Sequence, residues 1–272
     1  MEQSERTVIG VLGLGEAGGA FSADLAAAGA VVRGYDPAVA AGPDLVAATS
    51  ESDAATGADL VLSVNRSAVA VEAMEAGIGS LPPGSVWADL NTASPEKKRR
   101  LAEIADEHGV RFADVAIMAP VPGPRLQVPL LVSGSGAPRA AELLRGFGAN
   151  VEVLDGPAGL AATRKLLRSV YFKGMAASIV EALEAARAAG FEDLLRENII
   201  ADFTAAGEST VERIISGTHQ HAVRRTDEMA AATEMLTDLG VTPTMAAASR
   251  DLHAHLSEGT ETNSLSSHRR GF

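Results

Sequence analysis

Lys165 and Ser169 stand four residues apart in a run that opens Gly156-Pro157-Ala158-Gly159 and continues as an apolar, alanine-rich stretch. On a helix that spacing puts both side chains on one face. An amine beside a hydroxyl is equipment for moving a proton to or from a substrate oxygen. Near the start of the chain, Gly13-Leu14-Gly15-Glu16-Ala17-Gly18 spells G-x-G-x-x-G between a β-branched apolar run and an alanine-rich one. That strand-to-helix setting is what the motif needs to hold a dinucleotide. Gly13 permits the tight turn, Gly15 lets a pyrophosphate reach the backbone, and Gly18 lets the helix pack on the sheet. The phosphates then meet free amides at a helix N-terminus. Together the two motifs imply proton transfer coupled to hydride transfer at a nicotinamide.

Further polar residues fall at expected strand ends. Asp36 closes the second strand, where a carboxylate accepts from a ribose 2′-OH and repels a 2′-phosphate, which favours NAD over NADP. Arg33 lies inside the strand pattern and is not counted as a phosphate clamp. In Asp89-Leu90-Asn91-Thr92-Ala93-Ser94-Pro95, polar side chains follow a strand and precede a helix. In an open α/β sheet the carboxyl ends of strands face the ligand crevice. Asn91 and Thr92 are therefore expected at the nicotinamide or substrate, with Ser94 capping the next helix and Pro95 at its first position. Asn65, directly after the strand expected over residues 60–64, is grouped with the cofactor residues.

The elements that must position these groups alternate. Strands are expected over residues 7–12, 31–35, 60–64, 85–90, 110–117, 130–133 and 151–154, and helices over 16–28, 69–76, 95–108 and 138–147. The reading is a doubly wound, mostly parallel sheet. After residue 156 no strand-like segment follows, and helices are expected over 159–189, 192–206, 209–215, 222–239 and 244–256. This places a domain boundary near residue 156, an all-helical second domain over 157–272, and a polar, frayed tail from about Ser257. A helix over residues 159–189, at about 1.5 Å per residue, is roughly 46 Å long and outreaches a helical domain of this size. It needs apolar partners along its whole length, and a second copy of the chain supplies them most simply, so a homodimer is expected.

Composition narrows the classes. The chain has 272 residues, 46% of them hydrophobic, with a net charge of −12 and no cysteine. An acidic surface disfavours nucleic acid and anionic membranes as partners. The run Glu96-Lys97-Lys98-Arg99-Arg100 reads as a solvated helix face. Without cysteine there are no disulfides or thiol nucleophiles, which fits a cytoplasmic enzyme. Neither a signal-peptide pattern nor a membrane-spanning apolar stretch is read in the sequence.

The order of these motifs resembles the β-hydroxyacid dehydrogenase family, which includes 6-phosphogluconate and 3-hydroxyisobutyrate dehydrogenases. Asp89 to Pro95 are similar to its D-x-S-T-x-x-P motif, with Asn91 in place of serine. Residues 156–169 are similar to G-x-x-G-x-G-x-x-x-K-x-x-x-N, with Ala161 for the third glycine and Ser169 for asparagine. The resemblance covers residues 7 to about 190. It implies an NAD(P)-binding Rossmann domain followed by a helical, dimer-forming domain. It also implies Lys165 as general acid/base between a hydroxy and an oxo compound, a hydroxy acid being the favoured substrate. Ser169 orients the substrate hydroxyl or Lys165, and Thr92 contacts substrate. One departure stands out. Where the family has D-A-P-V-S-G-G, this chain has Asp114-Val115-Ala116-Ile117-Met118-Ala119-Pro120. Met118 replaces a hydroxyl and Pro120 a glycine, so Met118 at the substrate makes the pocket less suited to a small carboxylate. The same stretch resembles imine reductases on the same fold, which generally lack the lysine.

Cations for an anionic substrate are sought in Arg125 of the Pro-rich loop and in His219, His221, Arg224 and Arg225, the last two with Asp227 and Glu228 as ion-pair partners. The pairs His219/His221 and His253/His255 are spaced i, i+2 and do not share a helical face, so no metal is expected. The alternatives are an imine reductase and a non-catalytic nucleotide-binding sensor.

Overall fold

The computed structural model describes residues 6–268. The first part alternates strands and helices: β1 (Val8–Leu12), α1 (Glu16–Ala27), β2 (Val31–Tyr35), β3 (Val46–Ala47), α2 (Glu51–Ala55), β4 (Leu60–Ser63), α3 (Ala70–Gly77), β5 (Val86–Asp89), α4 (Pro95–Glu107), β6 (Arg111–Ile117), β7 (Leu130–Ser133), α5 (Ala137–Gly146) and β8 (Val151–Val153). One eight-stranded sheet results, ordered β3-β2-β1-β4-β5-β6-β7-β8. Every pairing is parallel except β6 with β7. The chain runs outward from β1 through β2 to β3 and then returns to place β4 on the other side of β1. That reversal opens a crevice outside the carboxyl ends of β1 and β4.

The pleat divides the core in two. On β1, Ile9 and Val11 join a cluster with Phe21 and Leu25 of α1, while Leu12 joins Trp87, Leu101 and Phe112 in another. Successive strand residues point to opposite faces, so a strand buried on both sides reads as a continuous apolar run. Trp87, Phe21 and Phe112 are fully buried. Truncating any of them to alanine is expected to cost about 3–5 kcal/mol.

Two short elements, β3 and α2, were not expected. Val46 and Ala47 are both exposed and show no alternation, and α2 is only five residues long. Their formation rests on neighbours: β3 pairs with β2, and the Ser50 hydroxyl accepts from the Asp53 amide at 3.1 Å. Ser94 caps α4 as expected, its Oγ accepting from the Lys97 amide at 3.2 Å with Pro95 in the first turn. A cap of this kind contributes about 1 kcal/mol.

The rest is helical: α6 (Leu160–Ala189), α7 (Glu192–Ala205), α8 (Glu208–Gln220), α9 (Ala222–Asp238) and α10 (Thr244–His268). The polar stretch from Ser257, expected to fray, is helical as far as His268. The helix α8 also extends past the expected Ile215 to Gln220. Contacts divide the chain into two compact units between Arg168 and Ser169, further along than the change in secondary structure near residue 156. The reason is local: the first turn of α6 is hydrogen-bonded to the sheet. Ser133 Oγ accepts from the Ala161 amide, and Asp114 Oδ2 accepts from Gly159 and Ala162. In the second unit, Ala185, Leu236, Val241 and Ala246 form a small buried cluster, and Glu181 accepts from the Met245 and Ala246 amides at the start of α10. Among the described residues, no helix is long and apolar enough to cross a membrane.

Candidate active site

The Gly-rich turn joins β1 to α1. Gly13 has φ +96, and its amide donates to the Tyr35 carbonyl at 2.8 Å. A Cβ on Gly18 would lie 1.9 Å from the Gly13 carbonyl oxygen, so the helix approaches the turn at van der Waals limit. A Cβ on Gly15 would meet nothing within 4 Å. Gly15 caps α1 with no side-chain hydrogen bond, which leaves the first amides of the helix, at Glu16, Ala17 and Gly18, without a side-chain acceptor at the cap. The open space at Gly15 is what a pyrophosphate approaching the backbone requires. A cleft of about 700 Å³ extends from Gly13 and Gly15 past Asp36, Asn65 and Arg66 to Glu72. Its size lies in the range of sites for small molecules and cofactors. The turn and cleft therefore fit a dinucleotide.

Asp36 is held by its own neighbourhood. One oxygen accepts from the Leu14 amide at 2.8 Å, the other from Ala38 at 2.8 Å and Val39 at 3.0 Å. Burial pushes this carboxyl up, but the three amides outweigh it and hold its pKa below the ordinary value. It stays ionised at neutral pH and fixes the backbone of Leu14, inside the Gly-rich turn. Arg33 pairs with Asp53 of α2 and also donates to the Asp53 carbonyl at 3.0 Å, so its guanidinium has a partner outside the cleft's lining.

At the carboxyl ends of β5 and β6 lies a tight crevice, closed to a water-sized sphere, lined by Asn91, Thr92, Lys98, Asp114, Ala162 and Lys165 among others. Lys165 is half-buried and Thr92 exposed. Asn91 is buried, and its Nδ2 donates inward to Asp89 Oδ1 at 2.5 Å, Asn65 Oδ1 at 2.8 Å and Ser63 Oγ at 3.2 Å. Among the described residues its Oδ1 has no hydrogen-bond partner. Asn65 and Asn91, named separately in the sequence, are thus joined directly. Ser169 is half-buried on α6, one turn after Lys165. Met118 is half-buried and packs with Ala116, Leu131, Leu154 and Ala161.

Several cations sought for an anionic substrate are engaged elsewhere. Arg125 pairs with Asp24 of α1 at 2.7 Å and donates to the Ala20 carbonyl. Arg224 pairs with Glu228 at 2.5 Å, and Arg225 donates to Thr218 Oγ1. The basic run of α4 departs from the expected solvated face: Lys97 donates to the Ser67 carbonyl at 2.8 Å, and Lys98 is 1% exposed. Helical periodicity explains it, since position 98 shares the inward stripe with Leu101 and Ala105. That stripe was the one sequence signal for Lys98, and the neighbouring charges hid it.

Such a sheet, turn and cleft define a nucleotide-binding α/β protein with a helical second unit. Residues 8–154, just over half the chain, match the family model of the NAD binding domain of 6-phosphogluconate dehydrogenase, and the chain belongs to that family of NAD(P)-binding, hydroxyacid dehydrogenase-like proteins. Residues 186–256 match a domain of unknown function (DUF1932). An uncharacterized protein of Methanothermus fervidus is 26% identical over 64% of this chain and 66% of its own length. A "Probable 3-hydroxyisobutyrate dehydrogenase" of Mycobacterium tuberculosis is 31% identical over 43% of this chain and 42% of its own. The chain thus spans under half the length of that dehydrogenase. Among solved structures, a conserved hypothetical protein from Sinorhizobium meliloti has a TM-score of 0.61 at 28% identity, covering 93% of this chain and 89% of the other. An imine reductase of Streptomyces aurantiacus has a TM-score of 0.74 at 20% identity, covering 93% and 95%, and shares the fold.

Proposed function

We propose that the chain is an NAD(P)-dependent oxidoreductase acting between a hydroxy and an oxo compound, a hydroxy acid being the favoured substrate, with Lys165 as general acid/base. The observation that carries this reading is that Lys165 lines one crevice together with Asn91 and Thr92. The glycine turn and the 700 Å³ cleft lie in the same unit. NAD(P), when bound, accepts or supplies the hydride. In oxidation Lys165 takes the proton from the substrate hydroxyl as the C–H bond breaks; in reduction it returns that proton to the carbonyl oxygen. The amides of Glu16, Ala17 and Gly18 hold the pyrophosphate, Asp36 accepts from the ribose hydroxyls and favours NAD, and Asn91 Oδ1 accepts from the carboxamide. Thr92 and Ser169 orient the substrate hydroxyl. Met118 shapes the apolar side of the substrate site.

The working form in this reading is a homodimer built through the second unit. Neither α7 nor α8 buries a residue, while Leu194, Ile200, Phe203, Val211, Ile214 and Ile215 are each more than half exposed. An apolar surface of that extent marks an interaction site.

Hydroxy acids, keto acids and cyclic imines assayed with NAD(H) and NADP(H) test the reading. Hydride transfer that falls by on the order of 10²–10⁴ in Lys165→Ala, with cofactor affinity intact, is the expected result. Equal turnover in both proteins refutes the proton-transfer role. Cofactor binding without transfer to any substrate makes the chain a sensor. A second reading, imine reduction, is favoured by Met118, whose thioether stands where the family's serine would supply a hydroxyl; turnover confined to the imines selects it.

A further inference from the structure

The sheet carries a row of buried polar residues that the proton-transfer reading does not use. Ser63, Asp89, Asp114 and Ser133 are register partners across β4, β5, β6 and β7, and all four are fully buried. Two carboxylates therefore lie side by side in the interior, an arrangement that needs a counter-charge. Lys98 supplies it from α4. Its Nζ lies 2.6 Å from Asp89 Oδ2, 2.7 Å from the Asp89 carbonyl and 3.2 Å from Asp114 Oδ1.

Each carboxylate leads to a different part of the site. Asp89 Oδ1 accepts from Asn91, which in turn bonds Asn65. Asp114 Oδ2 accepts from the Gly159 and Ala162 amides and from Ser133 Oγ, which accepts from Ala161. Ala161 lies one turn before Lys165 on α6. The path from Asn65 to the base of the lysine's helix is thus continuous, and Lys98 is its central link.

We propose that Lys98 is a positioning residue that holds Asn91 and the first turn of α6 in one fixed arrangement, so that Lys165 is presented correctly to the cofactor side of the pocket. The proposal rests on the Lys165 reading for its catalytic consequence. Burial drives the Asp89 carboxyl upward and the Asp114 charge adds to that, while Lys98 and Asn91 pull it back without cancelling the rise. Losing Lys98 therefore leaves two carboxylates that cannot both stay ionised, and the tie between β5 and α6 opens.

The test compares Lys98→Met with the double variant Lys98→Met/Asp89→Asn, which removes the charge conflict without restoring the tie. In Lys98→Met, the Gly159 and Ala162 amides should exchange with solvent faster than in the wild type, in protein without cofactor, while amides of α1 are unchanged. Hydride transfer should fall on the order of a hundredfold, as misplacement by an ångström does. The double variant should melt like the wild type and still transfer hydride slowly. Full turnover in the double variant reduces Lys98 to charge balance and overturns the proposal, as does unchanged exchange at Gly159 and Ala162. If Lys98→Met does not fold, the double variant carries both measurements. A wild type that transfers no hydride refutes the Lys165 reading, and amide exchange alone then decides whether Lys98 holds the helix.

Discussion

The two units of this chain are stabilised differently. Residues up to Arg168 bury most of their large apolar side chains, and their interior polar groups are linked into a network around Asp89, Lys98 and Asp114. Among the described residues, the helices after Ser169 share one small buried cluster and leave Phe191, Leu194, Ile200, Phe203, Val211 and Ile214 exposed. The first unit buries its own apolar groups and links much of its interior polar set, with Asn91 Oδ1 an exception. The second does not, which is the physical basis for expecting it to meet another copy. Site geometry follows the same division: hydrogen-bonded strand ends hold the pocket of the first unit, and such rigid elements place side chains more exactly than exposed helical faces do.

The comparison breaks outright if the wild type sediments as a monomer. If it sediments as a dimer, Ile200→Glu with Phe203→Glu on α7, or Ile214→Glu on α8, should convert it to monomer in analytical ultracentrifugation, because a charge placed in an apolar interface is left unpaired. The next largest effect falls in the first unit. Gly18→Ala, whose Cβ meets the Gly13 carbonyl at 1.9 Å, should lose about 1–3 kcal/mol in denaturant melts. Gly15→Ala, with open space around it, should keep its melting temperature and weaken dinucleotide binding in calorimetry. Equal behaviour of the two would mean that the open space is not a phosphate site.

Smaller still is Asp36→Ala. It loosens Leu14 for either cofactor, so the readout is the ratio of NADH to NADPH affinities, expected to drop by on the order of tenfold when the like-charge conflict is removed. A wild type that strongly prefers NADPH refutes the preference. The smallest effect is in the second unit. Glu192 is held by Arg187 through both oxygens and by Arg196 at 3.1 Å, and the Arg187 hydrogen bonds lower its pKa from 4.5 to about 2. The folded-state value is depressed, so the stabilisation is present above the unfolded value and is lost as pH falls through the folded one. Glu192→Gln should melt slightly lower at neutral pH, and the gap should close between about pH 4.5 and 2. A constant gap across that range would mean that the ion pair contributes nothing.

Much of the fold was legible because its signals are local. The apolar run at residues 8–12, the glycines at 13, 15 and 18, and Ser94-Pro95 act within a turn or two of the chain. The two-residue strand at Val46 was not legible, since it exists by pairing with β2 and not by its own pattern; the helix at Glu51 carries a local Ser50 cap but is only five residues long. Of the candidate site residues, Asp36 and Asn91 could be named from their places at strand ends, and Lys165 from its helical spacing to Ser169. The inward turn of the Asn91 amide could not, because two of its acceptors, Ser63 and Asn65, come from the end of β4 and the loop after it.

By itself, then, the sequence determined the alternation of strands and helices, the glycine turn, and the face shared by Lys165 and Ser169, all of which follow from backbone periodicity and near-neighbour sterics. Only the tertiary structure decided that Lys98 is buried between two carboxylates. Asp89 and Asp114 lie 25 positions apart in the chain and become neighbours only through the pairing of β5 with β6. A lysine's burial depends on the charges it meets there, and no local pattern encodes that meeting.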